Sequence, residues 1–127
     1  MTTNWTESSK RVPIIWVVEQ GAFDYSPARV FGGEIRPLVI DPLTPNAASA
    51  NWHNKAIQQM RRALADYIPG IDFVIPTGRP VRMMLAALIM RERGEVHKFL
   101  GWDDRQQRYF SYEFDLRRVY GSPYNEQ

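Results

Sequence analysis

The segment Asp72–Gly94, DFVIPTGRPVRMMLAALIMRERG, constrains the fold more than any other part of this chain. Phe73, Val74 and Ile75 form a short aromatic and β-branched run bounded by turn formers, which reads as a brief buried strand. Pro76 cannot donate to a sheet ladder and closes that strand. In the turn Thr77-Gly78-Arg79-Pro80, Gly78 can take backbone angles closed to other residues, and Pro80 suits the first position of a helix. Val81, Met84, Leu85, Leu88 and Ile89 then recur at i, i+3, i+4, i+7 and i+8, which predicts a buried helical stripe. Met83, Ala86, Ala87 and Met90 widen the stripe almost all the way round, so the helix is expected to be covered on two sides, in a sheet sandwich or at a subunit contact. Arg91 and Arg93 complement the negative end of the helix, and Gly94 marks its stop. The helix is too short to cross a bilayer and is flanked by arginines, so no membrane partner is expected.

The remaining segments supply elements to pack against this unit. Val12–Val18, VPIIWVV, reads as a central strand ended by Glu19, Gln20 and Gly21. Ser26-Pro27 followed by Ala28 to Phe31 and Gly32-Gly33 reads as a short helix with Ser26 as its cap. Ile35–Ile40 is a second strand, placed at a sheet edge by Pro37. The proline-rich Asp41–Ala48 is expected to be a mobile loop. Ser49 caps a helix reaching about Tyr67, with Ile57, Met60, Leu64 and Tyr67 buried and Lys55, Gln58, Arg62 and Asp66 wet. Val96–Trp102 and Arg108–Leu116 read as a hairpin around Asp103–Gln107, with Phe110, Tyr112, Phe114 and Leu116 on one face.

Residues 1–11 are expected to form a flexible arm, 12–118 a single domain and 119–127 a flexible tail. Strands separated by helices predict right-handed parallel crossovers. The fold class is therefore α/β, a compact Rossmann-like or flavodoxin-like three-layer domain, mostly parallel, with a C-terminal antiparallel hairpin. Pairing of the first two strands as a long hairpin would instead make it a mixed α+β fold.

A chain of 127 residues with ordinary apolar content can bury one modest core. It has no cysteine, which excludes disulfides and thiolate metal sites. The N-terminal MTTNWTESSKR lacks a signal-peptide pattern, and a cytoplasmic location is expected. A net charge of +2 permits a basic face without demanding nucleic acid.

Ligands of open parallel sheets collect beyond the carboxyl ends of the strands. Two loops emerge there, Gln20–Ser26 and Thr77–Pro80. The second sets a hydroxyl, a glycine and a guanidinium at the positive end of a helix, which suits phosphate or carboxylate. The ligand-binding set is therefore Gln20, Ser26, Thr77, Gly78 and Arg79, although neither GxxxxGK[ST] nor GxGxxG is present. A nucleic-acid surface would draw on Lys55, Arg61 and Arg62, Arg79 and Arg82, and Arg105, Arg108, Arg117 and Arg118, with Tyr109 stacking a base. His53 and His97 have no ligand spacing and read as structural, and Asp103-Asp104 reads as a solvated turn, so no metal is expected. Asp24 and Glu19 are the candidate acids or bases, with no nucleophile to pair with. Trp5, Trp16, Trp52 and Trp102, with six tyrosines, suit a protein-docking surface and a homo-oligomer, with Trp5 clamping a neighbouring subunit.

The sequence resembles a group of small phage-encoded proteins. The resemblance is carried by Ile75, Thr77, Gly78, Pro80, Trp102, Asp103, Arg108 and Tyr109, and by the segments FDYSPARVFGGEI and NKAIQQMRRALADY. It covers most of the chain and implies a phage accessory role. The Thr77-Gly78 turn is also similar to the strand–TGGT–helix turn of CARF-type sensors of cyclic oligoadenylate, from which it departs at Arg79-Pro80. The leading expectation is a non-enzymatic accessory protein, without cofactor, that binds a nucleotide or nucleic acid at the carboxyl edge. A host-directed protein–protein inhibitor is the second expectation. A small nucleotide-processing enzyme using Asp24 or Glu19 is the third.

Overall fold

The computed structural model describes residues 11–21, 23–39 and 50–118. Residues 1–10 of the expected arm, the tail, Trp5, the Asp41–Ala48 loop and the Ser49 cap lie outside these residues, as does the Trp52 side chain; Arg11, placed in the arm, is instead bonded to Asp72. Five strands, β1 (Ile14–Glu19), β2 (Glu34–Val39), β3 (Phe73–Ile75), β4 (Val96–Asp103) and β5 (Arg108–Asp115), form one sheet in the order β2-β1-β3-β4-β5. The first four run parallel and β5 pairs antiparallel with β4, so the fold is the expected α/β sheet with a closing hairpin. Pro37 lies in the edge strand β2, the position in a sheet where proline is tolerated. Strand order reverses between β1 and β3, which makes their carboxyl ends the switch point of the sheet.

Helices α1 (Ala50–Ala63) and α2 (Pro80–Arg93) pack together on one face, over Ile14, Trp16, Val18 and Val74. Among the described residues, the opposite face carries a single 3₁₀ turn, Ser26–Val30, with Ala28, Tyr25, Phe31 and Tyr109 against Ile15, Val17, Phe73, Ile75 and Leu100. The third layer is thus reduced to one turn and a set of rings. Ser26, expected as the cap, is instead the first residue of the turn: Tyr25 holds the cap position without a side-chain bond, and Asp24 Oδ1 accepts the Ser26 N–H at 2.9 Å.

The amino end of β1 is fixed by Asp72, whose carboxylate is fully buried. It accepts the N–H groups of Ile14 (2.9 Å) and Ile68 (3.0 Å), the Trp16 indole N–H (3.1 Å) and an Arg11 guanidinium N–H (2.9 Å). Those donors replace the water that the charge has lost. Trp16 is therefore a core residue and not a docking aromatic. His97 is structural as expected: it stacks on Tyr67, pairs with its hydroxyl at 2.6 Å through Nδ1, and meets the Gly94 carbonyl at 2.8 Å through Nε2. Burial pushes the Tyr67 phenol well above its ordinary pKa.

The stripe expected on α2 requires correction. The helix buries Arg82, Ala86, Ile89 and Met90, while Val81, Met84 and Leu88 are exposed. A helix apolar nearly all round gives its periodicity no single direction, and the side that docks is chosen by the ion pair of Arg82 with Glu19. On β5 the alternation is as expected, but its apolar face, Tyr112, Phe114 and Leu116, is only half covered.

Candidate functional site

At the carboxyl edge of the sheet, the two halves of the switch point differ. On the helix side, Glu19 ends β1 and turns its carboxylate onto the start of α2. Its Oε1 accepts the Arg79 N–H at 2.6 Å, and its Oε2 accepts from the buried Arg82 guanidinium at 3.1 Å. The Thr77 hydroxyl donates to the Glu19 carbonyl at 2.8 Å and faces the Glu19 N–H at 3.4 Å. Gly78 holds φ at +96°, and a Cβ there would collide with the same carboxylate. The place where an anion would meet the positive end of α2 is therefore occupied by the chain's own acid. This arrangement also removes Glu19 from the candidate acid–base groups and Arg82 from the basic surface, since both are buried in one pair.

On the opposite side of the sheet the same edge is open. A cleft of about 560 Å³ lies between the loop after β1 and the β4–β5 turn. Its walls are Phe23, Tyr25, Trp102 and Tyr109, its floor Ile75, Leu100 and Gly101, and Thr77 closes its inner end. Trp102 meets Tyr109 edge to face at 5.0 Å, and Phe23 meets Tyr25 at 6.4 Å. Edge-to-face pairs hold ring planes upright and apart. Asp24 and Asp104 sit at the rim: Asp24 accepts the Ser26 N–H at 2.9 Å and Asp104 accepts the Trp102 indole N–H at 2.9 Å. An ionised carboxylate has roughly four acceptor sites, so each retains capacity for a ligand N–H. The Ser26 N–H holds the Asp24 carboxyl below its usual range, and burial, with Tyr25 and Asp24 nearby, raises the Tyr109 phenol. The Tyr25 hydroxyl is buried and has no hydrogen-bond partner among the described residues.

The structure brings some of the expected residues together and separates others. Thr77 and Tyr109 share the cleft, and Ser26 lies behind Asp24 at its rim. Gln20 is exposed at the end of β1, and Gly78 and Arg79 belong to the Glu19 side. Arg105 lies in the turn beside the cleft. Lys55 and Arg62 are exposed on α1, across the sheet, and Arg108 lies over the Phe110 ring at 4.6 Å. Among the described residues, these basic candidates are spread over α1, α2 and the β4–β5 hairpin. Sequence reasoning missed Phe23, Tyr25 and Trp102 as one site. Their only local signal is aromatic residues next to turn formers, and nothing in the sequence joins segments so far apart. Among the described residues no group of three or more His, Asp or Glu could hold a metal ion, and no helix is long and apolar enough to cross a membrane.

The fold and this edge define a small α/β protein with a flavodoxin-like strand order, a closed helix start and an aromatic cleft. The family model described as Phage Pam3 gp32-like protein matches residues 16–116, most of the chain. The chain belongs to that family of phage proteins. No curated protein and no solved structure matches it significantly.

Proposed function

We propose that this phage protein acts by occupancy, binding the base of a nucleotide or of single-stranded nucleic acid in the aromatic cleft. The observation that carries this reading is the set of four rings arranged around about 560 Å³ at the switch point. A planar base offers each need of that cleft a partner. Its face stacks on Trp102 or Tyr109, a contact worth roughly 1–3 kcal/mol per base. Its amino or imino N–H groups reach Asp24 and Asp104. The two rim carboxylates disfavour a phosphate inside the cleft, so the phosphate lies outward, toward Arg105. Thr77 and Ser26 support this site as positioning residues, and Arg79 supports it only through the turn it shares with Thr77.

Thermal denaturation of the full chain with nucleosides, nucleotides and short single-stranded oligonucleotides tests this reading. Stabilisation by nucleosides as well as nucleotides is expected, because ligands that bind only the native state raise its melting point. Stabilisation by inorganic pyrophosphate alone would overturn it.

A second reading, docking on another protein, is favoured by the exposed apolar side chains of α2 and β5.

A further inference from the structure

We propose that α2 and β5 together form a two-fold interface between copies of this chain, in which α2 of each copy covers the open sheet face of the other. The observation is a step on the helix-covered face. α1 and α2 cover β1, β3 and the inner side of β4, where Phe99 packs against the core. Beyond Phe99 no helix follows β5 among the described residues, so Tyr112, Phe114 and Leu116 remain 52%, 48% and 54% exposed. Beside this floor stands α2, whose Val81, Met84 and Leu88 are 50%, 67% and 66% exposed at helical spacing. The helix thus carries an apolar strip on the side that the described domain does not cover, with Arg91 and Glu92 exposed at its carboxyl end.

The occupant is a second copy, for three physical reasons. First, a contiguous apolar patch left exposed marks a surface that another protein covers. The chain carries one helix with an apolar outer side of the kind that would lie there. Second, a ridge beside a floor complements itself under a two-fold rotation, which sets each ridge on the other floor and satisfies both faces with one surface. Third, the six residues expose on the order of 600 Å² per copy, so that covering them with their surroundings reaches the roughly 1,000 Å² total of a specific interface. None of the six is charged, and the neighbouring charges Arg91–Glu95 (2.8 Å) and Arg61–Glu92 (2.6 Å) are already paired within the copy. The interface leaves the cleft of each copy open, because the cleft lies on the opposite side of the sheet.

Light scattering after size exclusion, on the full chain at tens of micromolar, tests the proposal. A dimer is expected, and Leu88→Glu or Phe114→Glu should each convert it to a monomer with unchanged circular dichroism. The chain has no cysteine, so Met84→Cys and Tyr112→Cys chains, mixed and oxidised, should give a crosslinked pair containing one of each. A wild-type monomer would overturn the proposal. So would a dimer that survives both glutamates, or one that forms only like-with-like crosslinks. A monomer in which removal of residues 119–127 perturbs the Tyr112 and Phe114 amides would assign the floor to the chain's own end instead.

Discussion

The two sides of the carboxyl edge start from the same strands and reach opposite states. On the helix side a glycine at positive φ, a hydroxyl and a helix start resemble an anion cradle, yet Glu19 lies in it and holds Arg79 and Arg82. On the other side, Phe23, Tyr25, Trp102 and Tyr109 stand around open volume with two carboxylates at the rim. A helix start attracts any nearby anion, and here the nearest one is covalently part of the chain. Helix-start chemistry alone is therefore a poor guide to a ligand; what distinguishes the two sides is whether the neighbouring strand supplies the counter-charge.

The contrast can be broken most severely at Glu19. Glu19→Ala leaves the Arg82 charge in the core without its carboxylate, and a loss of about 3–5 kcal/mol in urea denaturation is expected. Replacing both partners, Glu19→Leu with Arg82→Met, should recover most of that loss. If the single variant is as stable as the parent, the helix side is not held by this pair. Next in size is the ligand effect. Trp102→Ala removes a stacking face and should weaken nucleoside binding by about tenfold or more. Arg79→Ala should leave that affinity within about threefold. The reverse ranking would move the site back to the helix start.

Smaller effects come from pH. The Tyr67 phenol has its pKa raised by burial, so its contribution is complete below about pH 10 and is lost as the pH climbs toward the folded value. Tyr67→Phe should flatten the alkaline limb of a pH–stability curve. The Asp24 carboxyl is shifted down by the Ser26 N–H, so its contribution is present above the usual carboxylate range and is lost as pH falls through the lowered value. Asp24→Asn should therefore change the acid limb only slightly, while altering the cleft wall.

Much of the fold was readable along the chain because it depends on local chemistry. Pro76, Gly78 and Pro80 fix a strand, a turn and a helix within a few residues, and the alternation in β5 fixes the hairpin. Pro37 marked the edge for the same reason. What was not readable depends on partners distant in sequence. Arg82 is buried because Glu19 waits for it 63 positions earlier, and Asp72 is buried because Ile14 and Trp16 donate to it from β1. The cleft was half legible: its loops were placed at the carboxyl edge, but the rings that shape it come from three separate segments. The exposed side of α2 was hidden by its own composition, since an all-round apolar helix does not show which side faces inward.

The most direct measurement is an amide and indole NMR titration of the full chain, with a nucleoside in one series and inorganic pyrophosphate in the other. The nucleoside should move the Tyr25, Gly101 and Tyr109 amides and the Trp102 indole, and pyrophosphate should leave Gly78 and Arg79 in place. Pyrophosphate shifts at Gly78 and Arg79, with a silent Trp102 in both series, would contradict the assignment of the cleft as the binding site.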